Sequence, residues 1–191
     1  DWSSDVCSSD LEQAGDSSRA YEVSASLILH HEAVLSSLDK SQALLRMAKA
    51  RKGQGLLEDA HRLAQQAHEL VPESTGPLEV LVDALEEKVP LEAAEYLKRL
   101  ASLLESPAEK KAALLRGGRL LQEVANDPKR ASALLAEARE QWPEDEEITQ
   151  RLAVCRSALG DAAGATEALV RLAEHRTGRA RADRLVQAAR V

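Results

Sequence analysis

The sequence predicts an all-α fold, an α-solenoid of stacked antiparallel helix pairs, and three observations carry that reading. Apolar residues recur at helical spacing along nearly the whole chain, while strand-like alternation is almost absent. A turn also recurs: a small or polar residue is followed five positions later by an alanine that opens an Ala/Leu-rich helix. The instances are Gly15 with Ala20, Gly55 with Ala60, Lys88 with Ala93, Asn126 with Ala131, and Gly160 with Ala165. The alanines step by 40, 33, 38 and 34 residues, and self-similarity at a period of about 36 marks a stacked helical array.

The helices follow in order. The first is expected over 17–37, after the Gly15-Asp16 turn. The second spans 41–53, and Gly55 suits the left-handed residue that ends it. Ala60, Leu63, Ala64, Ala67, Leu70 and Val71 lay an apolar stripe along a third helix over 56–71. Apolar spacing alone supports the fourth, 76–88. Pro90 opens the fifth, 90–105, because proline at the first helical position loses no hydrogen bond. Ser106-Pro107-Ala108-Glu109 joins a capping box to such a proline and opens 107–125. Asp127-Pro128 opens 128–141, which carries the stripe Ala131, Leu134, Leu135 and Ala138. Helices over 145–159, 162–175 and 179–190 complete the series; Gly160 ends the first of these, and Ala165, Ala168, Leu169, Leu172 and Ala173 stripe the second. The loops between helices are mostly two to five residues, so successive helices should be antiparallel neighbours.

Residues 1–11 resemble the translation of a common sequencing-adapter oligonucleotide and are set apart from the fold. Without Asp1, Asp5 and Asp10 the formal net charge of −7 becomes −4, and Cys155 is the one remaining cysteine, which rules out an internal disulfide. The bias of 17 Arg over 8 Lys, with abundant Ala and Leu and no Phe, resembles the coding of a GC-rich bacterium. No apolar run approaches the ~20 residues that cross a bilayer. With Met47 the only methionine, the remaining chain reads as an open-ended fragment, and a cytoplasmic location is the expectation.

Several stretches carry a family likeness. Leu44, Met47, Ala48, Gly55, Ala60, Ala64, Ala67, Leu70 and Pro72 resemble a tetratricopeptide repeat. So do Leu152, Ala153, Gly160, Asp161, Ala165, Leu169 and Leu172, and so do Gly118, Leu121, Ala131, Leu135, Ala138 and Pro143 with one extra residue in the turn. The resemblance implies a right-handed superhelix, with a partial repeat over 12–40, full repeats over about 41–73, 74–106, 107–143 and 144–177, and an opening helix over 178–191. There are departures: Arg51 and Arg156 stand where a tyrosine is usual, and Thr177-Gly178 replaces the closing proline.

Reactive chemistry finds little footing. His30-His31-Glu32 lacks the spacing of a zinc-protease helix. His61 and His68 stand two helical turns apart, about 10 Å, too far to share an ion. Cys155 has no base nearby in sequence and reads as a small buried hydrophobe. Gly53-Gln54-Gly55 is an interhelix turn, and Gly117-Gly118 resembles the close-packing glycine of the repeat's first helix. The segment 171–191 is cationic, but a negative chain with few aromatics argues against nucleic acid and leaves a solvated face. No catalytic residue, cofactor or metal is expected.

The leading expectation is a non-catalytic scaffold that binds a peptide or partner protein in a groove lined by the first helix of each pair, as the resemblance implies. Candidate groove residues are Lys49, Lys52, Arg119, Gln122, Glu123 and Gln150. Self-association through uncapped ends is also expected, at Leu27, Leu29 and Val34 and at Leu185 and Val186. A regulatory repeat region of a larger enzyme or transcription regulator, and an RNA-binding repeat array, are the alternatives.

Overall fold

A computed structural model describes residues 17–31, 33–174 and 186. Among them the chain is all-α, with helices α1 Ser17–His31, α2 Ser37–Gly53, α3 Leu57–Leu70, α4 Thr75–Leu85, α5 Pro90–Leu103, α6 Pro107–Arg119, α7 Pro128–Gln141, α8 Glu146–Ala158 and α9 Ala162–Glu174. Helix α6 runs directly into a π-helical turn, Leu120–Val124. The helix expected over 179–190 and the adapter-like residues 1–11 lie outside the described residues, Val186 excepted.

Two compact units meet the eye, one ending at Val89 and one beginning at Pro90. In the first, α1 packs on α2, α2 on α3, and α4 on both α2 and α3. Its interior is built from Ala43, Ala48, Ala60, Ala64 and Ala67, all fully buried, and from Leu78 and Leu81 on α4. Alanines at these crossings let helix backbones approach closely, and each buried leucine contributes roughly 1.5–3 kcal/mol relative to exposure. Arg51 lays its guanidinium 3.8 Å from the centre of the Tyr21 ring. A cation over an aromatic face thus links α1 to the last turn of α2.

The first loop differs from expectation. Helix α1 stops at His31 instead of reaching 37, and α2 begins at Ser37 instead of 41. The cause is a capping box: the Asp39 N–H donates to Ser36 Oγ at 3.1 Å, and the Ser36 N–H donates to Asp39 Oδ2 at 3.3 Å. Aspartate here replaces the more familiar Glu or Gln of that motif.

In the second unit α5 packs on α6, α6 on α7, α7 on α8, and α8 on α9, while the π turn touches α5 and α7. Gly117 and Gly118 are buried where α6 is crossed. A Cβ on Gly117 would stand 2.9 Å from Leu134 Cδ2, so the pair is a close-packing site, as the sequence resemblance implies. Ala153, Ala165, Ala168 and Leu169 form one buried cluster between α8 and α9.

The recurring turn has a common geometry. Gly55, Asn126 and Gly160 are the positive-φ residues among those described, at 76°, 50° and 78°. After two of them the chain closes the helix in the same way: Leu56 N–H donates to Arg51 O and Asp161 N–H to Arg156 O, each at 2.9 Å and five residues back. At Asn126 the equivalent bond, Asp127 N–H to Leu121 O at 2.8 Å, spans six. The extra residue of this repeat is therefore absorbed by the π turn, where Ala125 N–H reaches Leu120 O. The alanines that follow, Ala60, Ala131 and Ala165, are each fully buried, as is Ala93; Ala20 is nearly so. The Lys88 turn is built otherwise, by Val89 N–H donating to Leu85 O at 2.7 Å without a left-handed residue.

Candidate interaction face

The helices that precede the left-handed turns are the first members of the pairs, and they carry all six candidate residues. In the first unit Lys49 is exposed on α2. Lys52, one turn short of Gly55, donates its Nζ to Asp83 Oδ2 on α4 at 2.8 Å. Neighbouring first helices are thereby tied across their faces, and both side chains stay about one-third exposed.

In the second unit the π turn shapes the face. Arg119 ends α6, while Gln122 and Glu123 lie on the π turn, and all three meet α8. Arg119 pairs with Glu147 through Nη2 and Oε1. Arg151 donates Nε to Glu147 Oε1 at 3.1 Å, and Nη1 to Glu123 Oε1 at 2.9 Å and to Gln122 Oε1 at 3.3 Å. Charges therefore alternate along Arg119, Glu147, Arg151 and Glu123 in a chain that spans the two helices. Arg151 is its most buried member, 21% exposed. Nearer the start of both helices Lys111 Nζ meets Asp145 Oδ2 at 2.9 Å, while Asp145 Oδ1 also caps α8 by accepting from the Ile148 N–H. Gln150 is half-buried on α8 beside Arg151.

The electrostatics follow from these contacts. Hydrogen bonds from Arg119 and then Arg151 hold the Glu147 carboxyl below the usual carboxylate range. Burial pushes Asp145 upward, but the Ile148 N–H and Lys111 outweigh it and its pKa is lowered. Burial works against the Arg151 charge, yet Glu123 and Glu147 raise its pKa further. Burial pushes the Cys155 thiol up, partly opposed by the Arg151 charge, which suits an unreactive packed side chain.

The structure joins Arg119, Gln122 and Glu123 through Arg151, with Gln150 adjacent; Lys49 and Lys52 lie in the other unit. The residues that complete the network, Asp83, Glu147 and Arg151, were not among the candidates. A signal for them exists: charged partners across neighbouring first helices are 28 to 34 positions apart, close to one repeat, and opposite in sign. The remaining cationic segment beyond residue 174 lies outside the described residues, apart from the exposed Val186. No cluster of three or more metal-ligating His, Cys, Asp or Glu side chains occurs among the described residues. None of the described helices is long and apolar enough to cross a membrane.

Residues 125–189, from the Asn126 turn onward, match the family model described as tetratricopeptide repeat. The matched segment is a tetratricopeptide-type repeat region. Similar solved structures include YrrB, described as a TPR protein with an unusual peptide-binding site, at 16% identity and a TM-score of 0.62, covering 96% of this chain and 89% of that one. MamA is similar at 14% identity and a TM-score of 0.60, covering 96% and 97%. TPR-like repeats from Podosopora anserina match at 18% identity and a TM-score of 0.58, covering 96% and 92%. At these identities the likeness is one of fold. No curated protein sequence matches the chain.

Proposed function

We propose that this tetratricopeptide-type chain is a non-catalytic scaffold that holds a peptide or partner protein on the face of its first helices. The observation that carries the reading is the alternating chain of Arg119, Glu147, Arg151 and Glu123, with Gln122 and Gln150 beside it. These groups are fixed by one another, yet Arg119, Glu123 and Glu147 remain 43–59% exposed. A preorganised polar surface of this kind loses little side-chain entropy when a partner binds. Because both signs alternate, it favours partners with paired charges over uniform polyanions. The peptide-binding site described for the similar YrrB supports the same reading.

The test is crosslinking capture of partners by the wild-type chain, followed by affinity measurement with the captured partner. Replacing Arg119 and Arg151 with glutamate should weaken that partner strongly, and replacing the exposed Arg62 on α3 should not. A partner held equally well by both variants would assign the interaction elsewhere.

A further inference from the structure

The second helices of the second unit carry a groove that shares no residue with the network above. It runs between α5 and α7, and the ion pair from Lys98 Nζ to Glu137 Oε2 crosses it at 2.6 Å. Two depressions of about 450 and 320 Å³ flank that bar. Leu114 and Ala101 lie at the wall of the larger, Leu121 and Leu134 at that of the smaller. The rim carries Lys98, Arg99, Lys110 and Arg130 against Glu95 and Glu137. Arg130 is itself paired with Asp127 at 3.5 Å, which leaves three cations to two carboxylates, still the reverse of the chain's balance of 25 basic to 32 acidic residues.

We propose that this groove is a second docking surface, and that it takes an acidic peptide segment with small apolar side chains between its carboxylates. Lys98 and Glu137 are each about half exposed, and an ion pair so placed contributes little and exchanges readily with an incoming carboxylate. Lys110, half-buried in the larger depression, makes no ion pair among the described residues and supplies a second anchor. The leucines and alanines between the cations have room for methyl-sized or leucine-sized groups, which gives the segment an apolar as well as an acidic requirement.

The probe is a fluorescein-labelled peptide of Glu, Ala and Leu, set against its Lys, Ala and Leu counterpart and a labelled single-stranded oligonucleotide. Anisotropy should show saturable binding of the acidic peptide alone, with amide shifts in the spans 94–102 and 130–141. Lys110→Glu should weaken it about tenfold, whereas Arg62→Glu, the same charge change on α3, should alter it less than twofold. Helicity by circular dichroism checks that both variants fold. Equal binding of the basic peptide, preference for the oligonucleotide, or no saturable binding would overturn the proposal. Shifts confined to α6 and α8 with no effect of Lys110→Glu would also overturn it, while leaving the first-helix reading intact.

Discussion

Gly118 on α6 lies against Leu135 on α7 so closely that a Cβ on the glycine would stand 2.7 Å from the leucine Cδ2 and 2.9 Å from its Cγ. Both residues are buried. The Cγ cannot swing away as a side-chain tip could, so the helices must part or Leu135 must leave its rotamer. Gly118→Ala should therefore destabilise the second unit by about 1–3 kcal/mol, even though alanine is the better helix former by about 1 kcal/mol. Urea melts check it; a stabilised variant would mean the crossing is looser than its geometry implies.

The left-handed turns give a paired prediction. Around Gly55 and Gly160 an added Cβ would meet nothing within 4 Å, so any cost of substitution is conformational. Gly160→Ala should cost about 1–2 kcal/mol, the penalty of a side chain in that region. Asn126→Gly should be close to neutral or slightly stabilising, because Asn126 already occupies that conformation at a φ of 50°. Thermal melts of the two variants should move in different directions or by clearly different amounts.

These turns show what the sequence makes legible. The spacing from Gly55, Asn126 and Gly160 to their buried alanines could be read directly, because a left-handed residue and a tight helix crossing both select unmistakable residue types. The π turn could not: its signal in sequence is one extra residue, which a longer loop would satisfy equally well. The sequence pattern places the start of α2 four residues late, because Asp39 fills the capping role usual for Glu or Gln. At the candidate face Arg119, Gln122 and Glu123 were reachable from helical periodicity. Their partner Arg151 was not, since pairing across helices depends on side-chain reach that periodicity does not encode.

Acid should loosen the network. Glu147 and Asp145 have lowered pKa values in the folded chain, so the unfolded chain binds those protons more readily. Their contribution is present above the ordinary values of 4.5 and 3.8 and is lost as pH falls through the lower folded values. Stability should decline below about pH 4.5, and Arg151→Gln should flatten that decline while lowering stability at neutral pH. Because Glu147 is 43% exposed, solvent screening keeps the effect small. Denaturant midpoints at several pH values measure it; parallel curves for wild type and Arg151→Gln would remove Arg151 as the cause.

Turn alanines separate a crossing from a mere helix start. Ala131 and Ala165 are fully buried, while Ala162, in the first turn of α9, is exposed. Leucine at 131 or 165 should overpack the crossing and cost about 1–3 kcal/mol, and leucine at 162 should change stability little. Equal effects in denaturant melts would leave the repeat without its packing rationale.

The last prediction concerns an exposed apolar patch in the first unit. Leu29 is 76% exposed at the end of α1, Val34 81% in the following turn, and Leu38 54% at the start of α2. All three fall within ten residues around one helix-to-helix connection, where polar residues would ordinarily face water. Clustered apolar exposure of this kind favours association, since joining two such patches removes both from solvent. The chain should therefore show concentration-dependent self-association, and replacing Leu29, Val34 and Leu38 together with glutamine should suppress it without loss of helicity. Sedimentation velocity across a concentration series decides it: a wild-type chain that stays monomeric throughout, or a triple variant that associates as strongly, would rule this patch out as the contact.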